Sequence, residues 1–307
     1  MTVPLLVSVP STTLRDALPA TDTPIEVITW DLDGPIDLDH VDIVVPPYMG
    51  TVSRLANLAG LSTRLVQSQS IGYNGVADVL PPGHVYANAA GVHEASTAEL
   101  TVGLILAAQR GIDQFVRDAL DGRWRPRDHA SLADRRILLI GTGGVGRAIA
   151  ERLAPFEVDV VRVATHPRQD DLGEVIGIAD LPALLPTAEI VIVVVPLTES
   201  THHMIDETFL AALPDGALVV NVSRGAVADT AALVRHAQSG RLRLALDVVD
   251  PEPLPDDHPL FALRNVLISP HVGGATSAML PRMARLLADQ IDRIGRGDEP
   301  RNVVLRS

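Results

Sequence analysis

The stretch RRILLIGTGGVGRAIAERL, residues 135–153, restricts the fold of this chain more than any other. The apolar run Ile137 to Ile140 has the character of a buried strand. Gly141, Gly143 and Gly146 follow it, and a helical pattern opens at once. A G-x-G-x-x-G spacing alone occurs often by chance, but between a strand and a helix it has a mechanical meaning. Gly141 permits a tight turn, Gly143 lets the backbone approach a pyrophosphate, and Gly146 lets helix and strand pack closely. The helix start supplies free N–H groups and the positive end of a dipole, which suit phosphate. Gly144 and Val145 lie inside the same loop and count with it as cofactor-binding residues.

The remaining chain repeats this alternation. Short Val/Ile/Leu runs recur, among them PLLVSVP, IEVITW, VDIVVP, TRLVQSQS, VDVVRVAT, EIVIVVVP, ALVVNVS, LRLALDVV and NVLISP. Helical patterns such as ASTAELTVGLILAAQRGI and DTAALVRHAQSG lie between several of them. Strands that are apolar almost throughout have both faces covered, as in a parallel sheet. Strands alternating with helices predict an α/β, doubly wound architecture. A length of 307 residues predicts about two domains. The clearest boundary precedes the helix expected over residues 95–110. There EASTAE offers Ser96 as an N-cap with Glu99 completing a capping box.

Composition narrows the function. The formal net charge is −13, which argues against a nucleic-acid partner or an anionic membrane. The chain has no cysteine, so disulfides, thiolate nucleophiles and thiolate-bound metals are excluded. It also has no lysine, which excludes a Walker-type phosphate lysine and a Schiff base. No metal site is expected. The start MTVPLLVSVP lacks a basic n-region and no apolar run reaches membrane-spanning length, so a cytoplasmic protein is the expectation.

At the end of the strand VDVVRVAT, a cofactor lacking a 2′-phosphate would usually meet an Asp or Glu. This chain has Ala164, Thr165, His166, Pro167 and Arg168 there. With no carboxylate at that point, and with His166 and Arg168 available to a phosphate, the loop favours NADP over NAD. Three further groups follow successive apolar runs. Arg224 comes after ALVVN, Asp247 and Glu252 after LRLAL, and His271 after NVLIS. Ligands bind doubly wound sheets at the carboxyl ends of their strands, so a cation, a carboxylate and an imidazole there form a candidate catalytic set.

Taken together, GTGGVG, VPLT, NVSRGAVAD, LDVVDPEPLP, DHPL and SPHVGGAT resemble the D-isomer-specific 2-hydroxyacid dehydrogenases, which include glyoxylate/hydroxypyruvate reductases. The resemblance is strongest from Ala95 to Ala275. It implies a Rossmann dinucleotide-binding domain, residues 96–275, inserted into a flavodoxin-like substrate domain, residues 1–95 and 276–307. It implies an active site in the cleft between them and a homodimer formed through the dinucleotide-binding domain. The activity implied is reversible reduction of a small 2-keto acid to a D-2-hydroxy acid with NAD(P)H. Arg224 would bind the substrate carboxylate and polarise the C2 oxygen, His271 would exchange the proton, and Glu252 would stabilise the imidazolium. Thr97, Pro196 and Ser223 match positions near the cofactor, and Gly273 leaves room for nicotinamide. Asp247 would contact the carboxamide or serve a structural role. In LVQSQSIGYNGV, Ser70, Ile71 and Gly72 match the loop whose N–H groups grip the substrate carboxylate, and Met49 would line the pocket. Phosphite-oxidising relatives carry lysine where this chain has Ile71. Some relatives with this fold are noncatalytic, so a dinucleotide-sensing binding protein is the alternative.

Overall fold

A computed structural model describes residues 3–49 and 52–307 of the chain. It divides into two compact units, one comprising Met1–His93 with Ala275–Ser307 and the other Glu94–Gly274.

In the first unit the described residues form a six-stranded sheet. Its strands are β1 (Leu5–Val9), β2 (Ile25–Thr29), β3 (Ile43–Val44), β4 (Leu65–Gln67), β5 (Val85–Ala87) and β14 (Val303–Arg306), in the order β14-β5-β4-β3-β1-β2. All neighbours are parallel except β14, which runs antiparallel to β5. The order 2-1-3-4-5 of the parallel strands is flavodoxin-like. Val7, Val9, Ile43 and Leu65 pack with Met283, Leu287 and Ile291 of the helix Met279–Arg296. Side chains this deeply buried contribute about 1.5–3 kcal/mol each relative to exposure. Gly297, at φ 81, ends that helix in the left-handed conformation usual for a C-terminal cap.

The second unit holds an eight-stranded sheet among its described residues. The strands are β6 (Arg136–Ile140), β7 (Asp159–Ala164), β8 (Arg168–Asp170), β9 (Gly173–Gly177), β10 (Ile190–Val193), β11 (Leu218–Asn221), β12 (Arg243–Leu246) and β13 (Val266–Ile268). Their order is β13-β12-β11-β10-β6-β7-β9-β8, parallel throughout except for β8 against β9. The chain moves outward from β6 through β7 to β9, then returns to the other side of β6 at β10. That reversal is the topological switch point of a Rossmann sheet. Alternate residues of one strand enter opposite cores. Leu138, Val191, Val219 and Leu244 pack on one face, while Ile137, Ile190, Leu218 and Ala245 pack on the other. Two buried faces account for the uninterrupted apolar runs.

Two local expectations change. The first helix of this unit spans Glu94–Arg110, so Ser96 and Glu99 lie inside it and form no capping box. Ser96 is buried, which places its side chain in the packed face of the first turn. Arg168 belongs to the β8–β9 hairpin rather than to an open loop after β7.

Candidate active site

The glycine loop leaves β6 at Gly141, which has φ 108. Gly146 is buried, and a Cβ there would stand 2.1 Å from the Gly141 carbonyl oxygen, so any side chain would push the helix Gly144–Leu153 away from the strand. Gly143 differs: a Cβ on it would meet nothing within 4 Å. Its exposed backbone caps the helix with no side-chain hydrogen bond. The first N–H groups of a helix lack intrahelical partners. An open backbone at Gly143 beside the N–H groups of Gly144, Val145 and Gly146 fits a dinucleotide pyrophosphate.

Ala164 ends β7, and Thr165, His166 and Pro167 are exposed beyond it. Arg168 reaches back to the glycine loop, where its Nη2 donates to Thr142 Oγ1 at 2.6 Å. Thr142, Gly146, Arg147, Arg162 and Asp170 line a small cavity beside it. The sequence reading missed two carboxylates here. Asp170 pairs with the buried Arg162 at 2.8 Å, and Asp171 takes both terminal nitrogens of Arg147 at 2.7 and 2.6 Å. The Arg162 and Arg147 guanidiniums hold these two carboxyls below the ordinary range. The signal was the pair of acids in RQDD, but only the hairpin turns them toward the glycine loop.

Three groups stand beyond the carboxyl ends of β11, β12 and β13. Asn221, the last residue of β11, accepts from the Ser223 N–H and hydroxyl at 3.1 and 2.6 Å, and its amide donates to the Arg224 carbonyl at 3.1 Å. Arg224 is partly buried and donates to the Ser223 carbonyl. A Cβ on Gly225 would fall 1.7 Å from the Val249 carbonyl oxygen, so the loop carrying Arg224 lies directly on the loop leading to Glu252. Glu252 accepts from the Val249 N–H at 3.0 Å with one oxygen and faces His271 Nδ1 at 2.8 Å with the other. Burial pushes the Glu252 carboxyl up. The hydrogen bonds from His271 and Val249 and the charges of His271 and Arg224 outweigh that, leaving it below its ordinary value.

His271 adopts φ 52, an unusual conformation for a residue with a Cβ. Its N–H donates to the Asp247 and Ser269 carbonyls. Buried Asp247 clamps the same turn: Oδ1 accepts from Ser269 Oγ at 2.7 Å and the Val272 N–H at 2.9 Å, and Oδ2 from the Gly273 N–H at 2.9 Å. A Cβ on Gly273 would lie 3.3 Å from the Thr97 side chain, so Thr97, Asp247 and Gly273 form one cluster. Pro196 is exposed just beyond β10.

In the other unit, Ser70, Ile71 and Gly72 follow β4 and are partly buried. The Ser70 N–H donates to Ser68 Oγ, while the Ile71 and Gly72 N–H groups donate to no acceptor among the described residues. Two adjacent, undirected N–H groups suit an anion. Met49 is exposed and has φ 62.

A family model described as the D-isomer specific 2-hydroxyacid dehydrogenase, NAD binding domain, matches residues 102–273. A glyoxylate reductase of Thermofilum pendens is 35% identical over 79% of this chain and 75% of its own length. Among solved structures, a D-isomer specific 2-hydroxyacid dehydrogenase from Xanthobacter autotrophicus Py2, in complex with NADPH and MES, is 28% identical with a TM-score of 0.81, covering 99% of each chain. An NADPH-dependent glyoxylate/hydroxypyruvate reductase from Sinorhizobium meliloti, in complex with NADP and malonate, is 26% identical with a TM-score of 0.80, over 99% of this chain and 97% of that one.

Proposed function

Because the chain belongs to the D-isomer-specific 2-hydroxyacid dehydrogenase family, and is an NAD(P)-dependent oxidoreductase of that kind, we propose that it reduces glyoxylate or hydroxypyruvate to the corresponding hydroxy acid. The observation that carries this reading is the Glu252–His271 pair at 2.8 Å, with the Arg224 charge acting on the same carboxylate. With Nδ1–H directed at Glu252, the imidazole keeps Nε2 for proton exchange with substrate.

When bound, NAD(P)H would supply the hydride that reduces the keto acid at C2. His271 Nε2 gives its proton to the C2 oxygen, and Glu252 stabilises the imidazolium before transfer and holds the ring orientation afterwards. In the reverse direction the neutral imidazole takes the hydroxyl proton. Arg224 polarises the C2 oxygen and pairs with the carboxylate, roles suited to a permanently charged planar fork. In their own unit, the Ile71 and Gly72 N–H groups, with Ser70 beside them, are candidate donors to a substrate carboxylate, and Met49 is a candidate substrate contact. Gly141, Gly143, Gly144, Val145 and Gly146 would hold the cofactor's pyrophosphate. Ala164, Thr165, His166 and Arg168 would take the adenosine ribose, with NADP preferred. Thr97, Pro196, Ser223 and Gly273 would border the nicotinamide. Asp247 acts chiefly by shaping the His271 turn, since that turn occupies both its oxygens.

The residues 96–275 form the cofactor domain in this reading, and residues 1–95 with 276–307 the substrate domain. The working form is a homodimer in the cytoplasm. The helix Ile112–Leu120 supports the dimer, because none of its residues is buried and Phe115, Val116 and Leu120 are exposed. No helix among the described residues is long and apolar enough to cross a membrane.

The test follows NAD(P)H oxidation at its absorbance band with glyoxylate, hydroxypyruvate, pyruvate and phenylpyruvate. Turnover highest with the first two supports the assignment. Preference for phenylpyruvate would overturn the substrate class, and cofactor binding without turnover of any would favour a noncatalytic sensor.

A further inference from the structure

We propose that Asn88 is a positioning residue for the substrate carboxylate: its buried amide fixes the peptide plane joining Ile71 to Gly72 and so aims the Gly72 N–H at the anion. This deepens the functional reading above and rests on it.

The argument begins with peptide geometry. A peptide unit is planar and almost always trans, so its C=O and the following N–H point in opposite directions. Whatever captures the carbonyl of one residue therefore aims the N–H of the next. Three successive carbonyls of this loop are captured. Gln69 O lies 2.6 Å from His93 Nε2, Ser70 O accepts from the Ala89 N–H at 2.9 Å, and Ile71 O accepts from Asn88 Nδ2 at 2.9 Å. The last two leave the Ile71 and Gly72 N–H groups directed away from Ala89 and Asn88, with no protein acceptor among the described residues. Of the two, only the Gly72 plane depends on a side chain.

That side chain is held in one orientation. Asn88 is buried, and its Oδ1 accepts from the Ala90 N–H at 3.2 Å while Nδ2 donates to Ile71. A flipped amide would set donor against donor and acceptor against acceptor, so the neighbours decide which end is nitrogen. The backbone of Asn88 is anchored in turn. Gln67 Nε2 donates to the Asn88 carbonyl at 3.0 Å and to the Ser68 carbonyl at 2.8 Å. Gln67 Oε1 accepts from Gln290 Nε2 at 2.8 Å, and Gln290 Oε1 accepts from the Arg301 N–H at 2.9 Å. Gln67 and Gln290 are both fully buried. A buried polar chain whose members are satisfied is rigid, because each lost bond leaves an unpaired group. The chain ends on the carbonyl that sets Gly72.

Asn88→Asp tests this with almost no change of shape. An ionised carboxylate cannot donate to Ile71 O, whereas a protonated one can. The expected result is a rise in keto-acid KM and in the inhibition constant of malonate by about 10- to 100-fold, the range for a hydrogen bond to a charged group. The dissociation constant of NADPH, read by its fluorescence, should stay within about 2-fold. Relative to the parent at each pH, the variant should recover as pH is lowered and the introduced carboxyl takes up a proton. Asn88→Ala should raise KM without any such recovery. An unchanged KM in Asn88→Asp, or equal loss of keto-acid and NADPH affinity, overturns the proposal. Gly72→Pro, which lacks the N–H, separates the two levels of inference, with Gly72→Ala as the control that retains it. If Gly72→Pro leaves KM unchanged, the carboxylate-loop reading fails. If it raises KM while Asn88→Asp does not, only the role of Asn88 fails.

Discussion

His271 is the proton donor of the proposed reaction, and its conformation shows what holds it. A histidine at φ 52 is sustained by its surroundings: Asp247 receives the Val272 and Gly273 N–H groups, and the His271 N–H is itself tied down. General acid–base catalysis contributes typically 10²- to 10⁴-fold, so His271→Ala should lower kcat by about that much. Glu252→Gln keeps the hydrogen bond but removes the charge favouring imidazolium. In the proposed reaction that charge steadies the ring that gives up its proton, so kcat for keto-acid reduction should fall in this variant. The comparison is kcat of variant and parent with the same keto acid; an unchanged value would remove Glu252 from the mechanism. The acid side has its own sign. Glu252 titrates below its ordinary 4.5, so the pair's contribution to stability is complete above that value and disappears as pH falls through the lowered pKa. The chemical types of these residues stand out in the sequence because each follows an apolar run that the alternation with helical patterns reads as a strand. The double duty of Asp247 was not, since nothing in LDVVD says which N–H groups a carboxylate will meet.

At the scale of elements, the loops after β11 and β12 are pressed together. With 1.7 Å between a Cβ placed on Gly225 and the Val249 carbonyl oxygen, Gly225→Ala must displace one of them. Overpacking of this kind costs about 1–3 kcal/mol, and because Arg224 and Glu252 ride on those loops, kcat should fall together with Tm. A Tm drop with undiminished kcat would show that the loops move without carrying the site. The β8–β9 hairpin belongs to the same scale. Its edge strand β8 was invisible in RQD because an exposed edge needs no apolar period, and the NADP reading therefore rested on single residues. Folded, the hairpin returns Arg168 to Thr142 and brings Asp170 and Asp171 with it, each already paired to arginine. Arg168 is left as the cation without a carboxylate partner in this group. Arg168→Ala should weaken NADPH binding by about 5- to 30-fold and leave NADH nearly unchanged, as read by KM for both cofactors. Loss of both affinities alike would mean that Arg168 supports the loop rather than the phosphate. The misplaced capping box at Ser96 has a similar origin: a cap is set by where the chain enters the helix, and that entry lies at Glu94, ahead of the motif.

For the whole molecule, two doubly wound sheets were legible because parallel strands buried on both faces leave continuous apolar runs, whereas the antiparallel edge β8, with sequence RQD, leaves none. The proposed association rests on a different trace. The helix Ile112–Leu120 buries none of its residues, yet Ile112, Phe115 and Val116 are 47%, 40% and 56% exposed, Leu120 is 84% exposed and Trp124 beyond it 96%. Positions 112, 115, 116 and 120 recur at helical spacing, so they make one face rather than a scatter. A contiguous apolar face of this kind on a charged molecule marks an interaction site. A net charge of −13 on each chain opposes association at long range, so an apolar face must outweigh it at contact. A second copy of the chain is the occupant proposed above. Val116→Asp with Leu120→Asp puts four unpaired carboxylates into a twofold interface and, because both positions are exposed in one chain, should leave the monomer fold intact. By light scattering the parent should have twice the 32.7 kDa mass of one chain and the double variant the mass of one. Raising the salt should strengthen the parent dimer by screening the mutual repulsion. A parent that runs as a monomer at micromolar concentration, or a double variant that stays dimeric, would place the interface elsewhere or remove it.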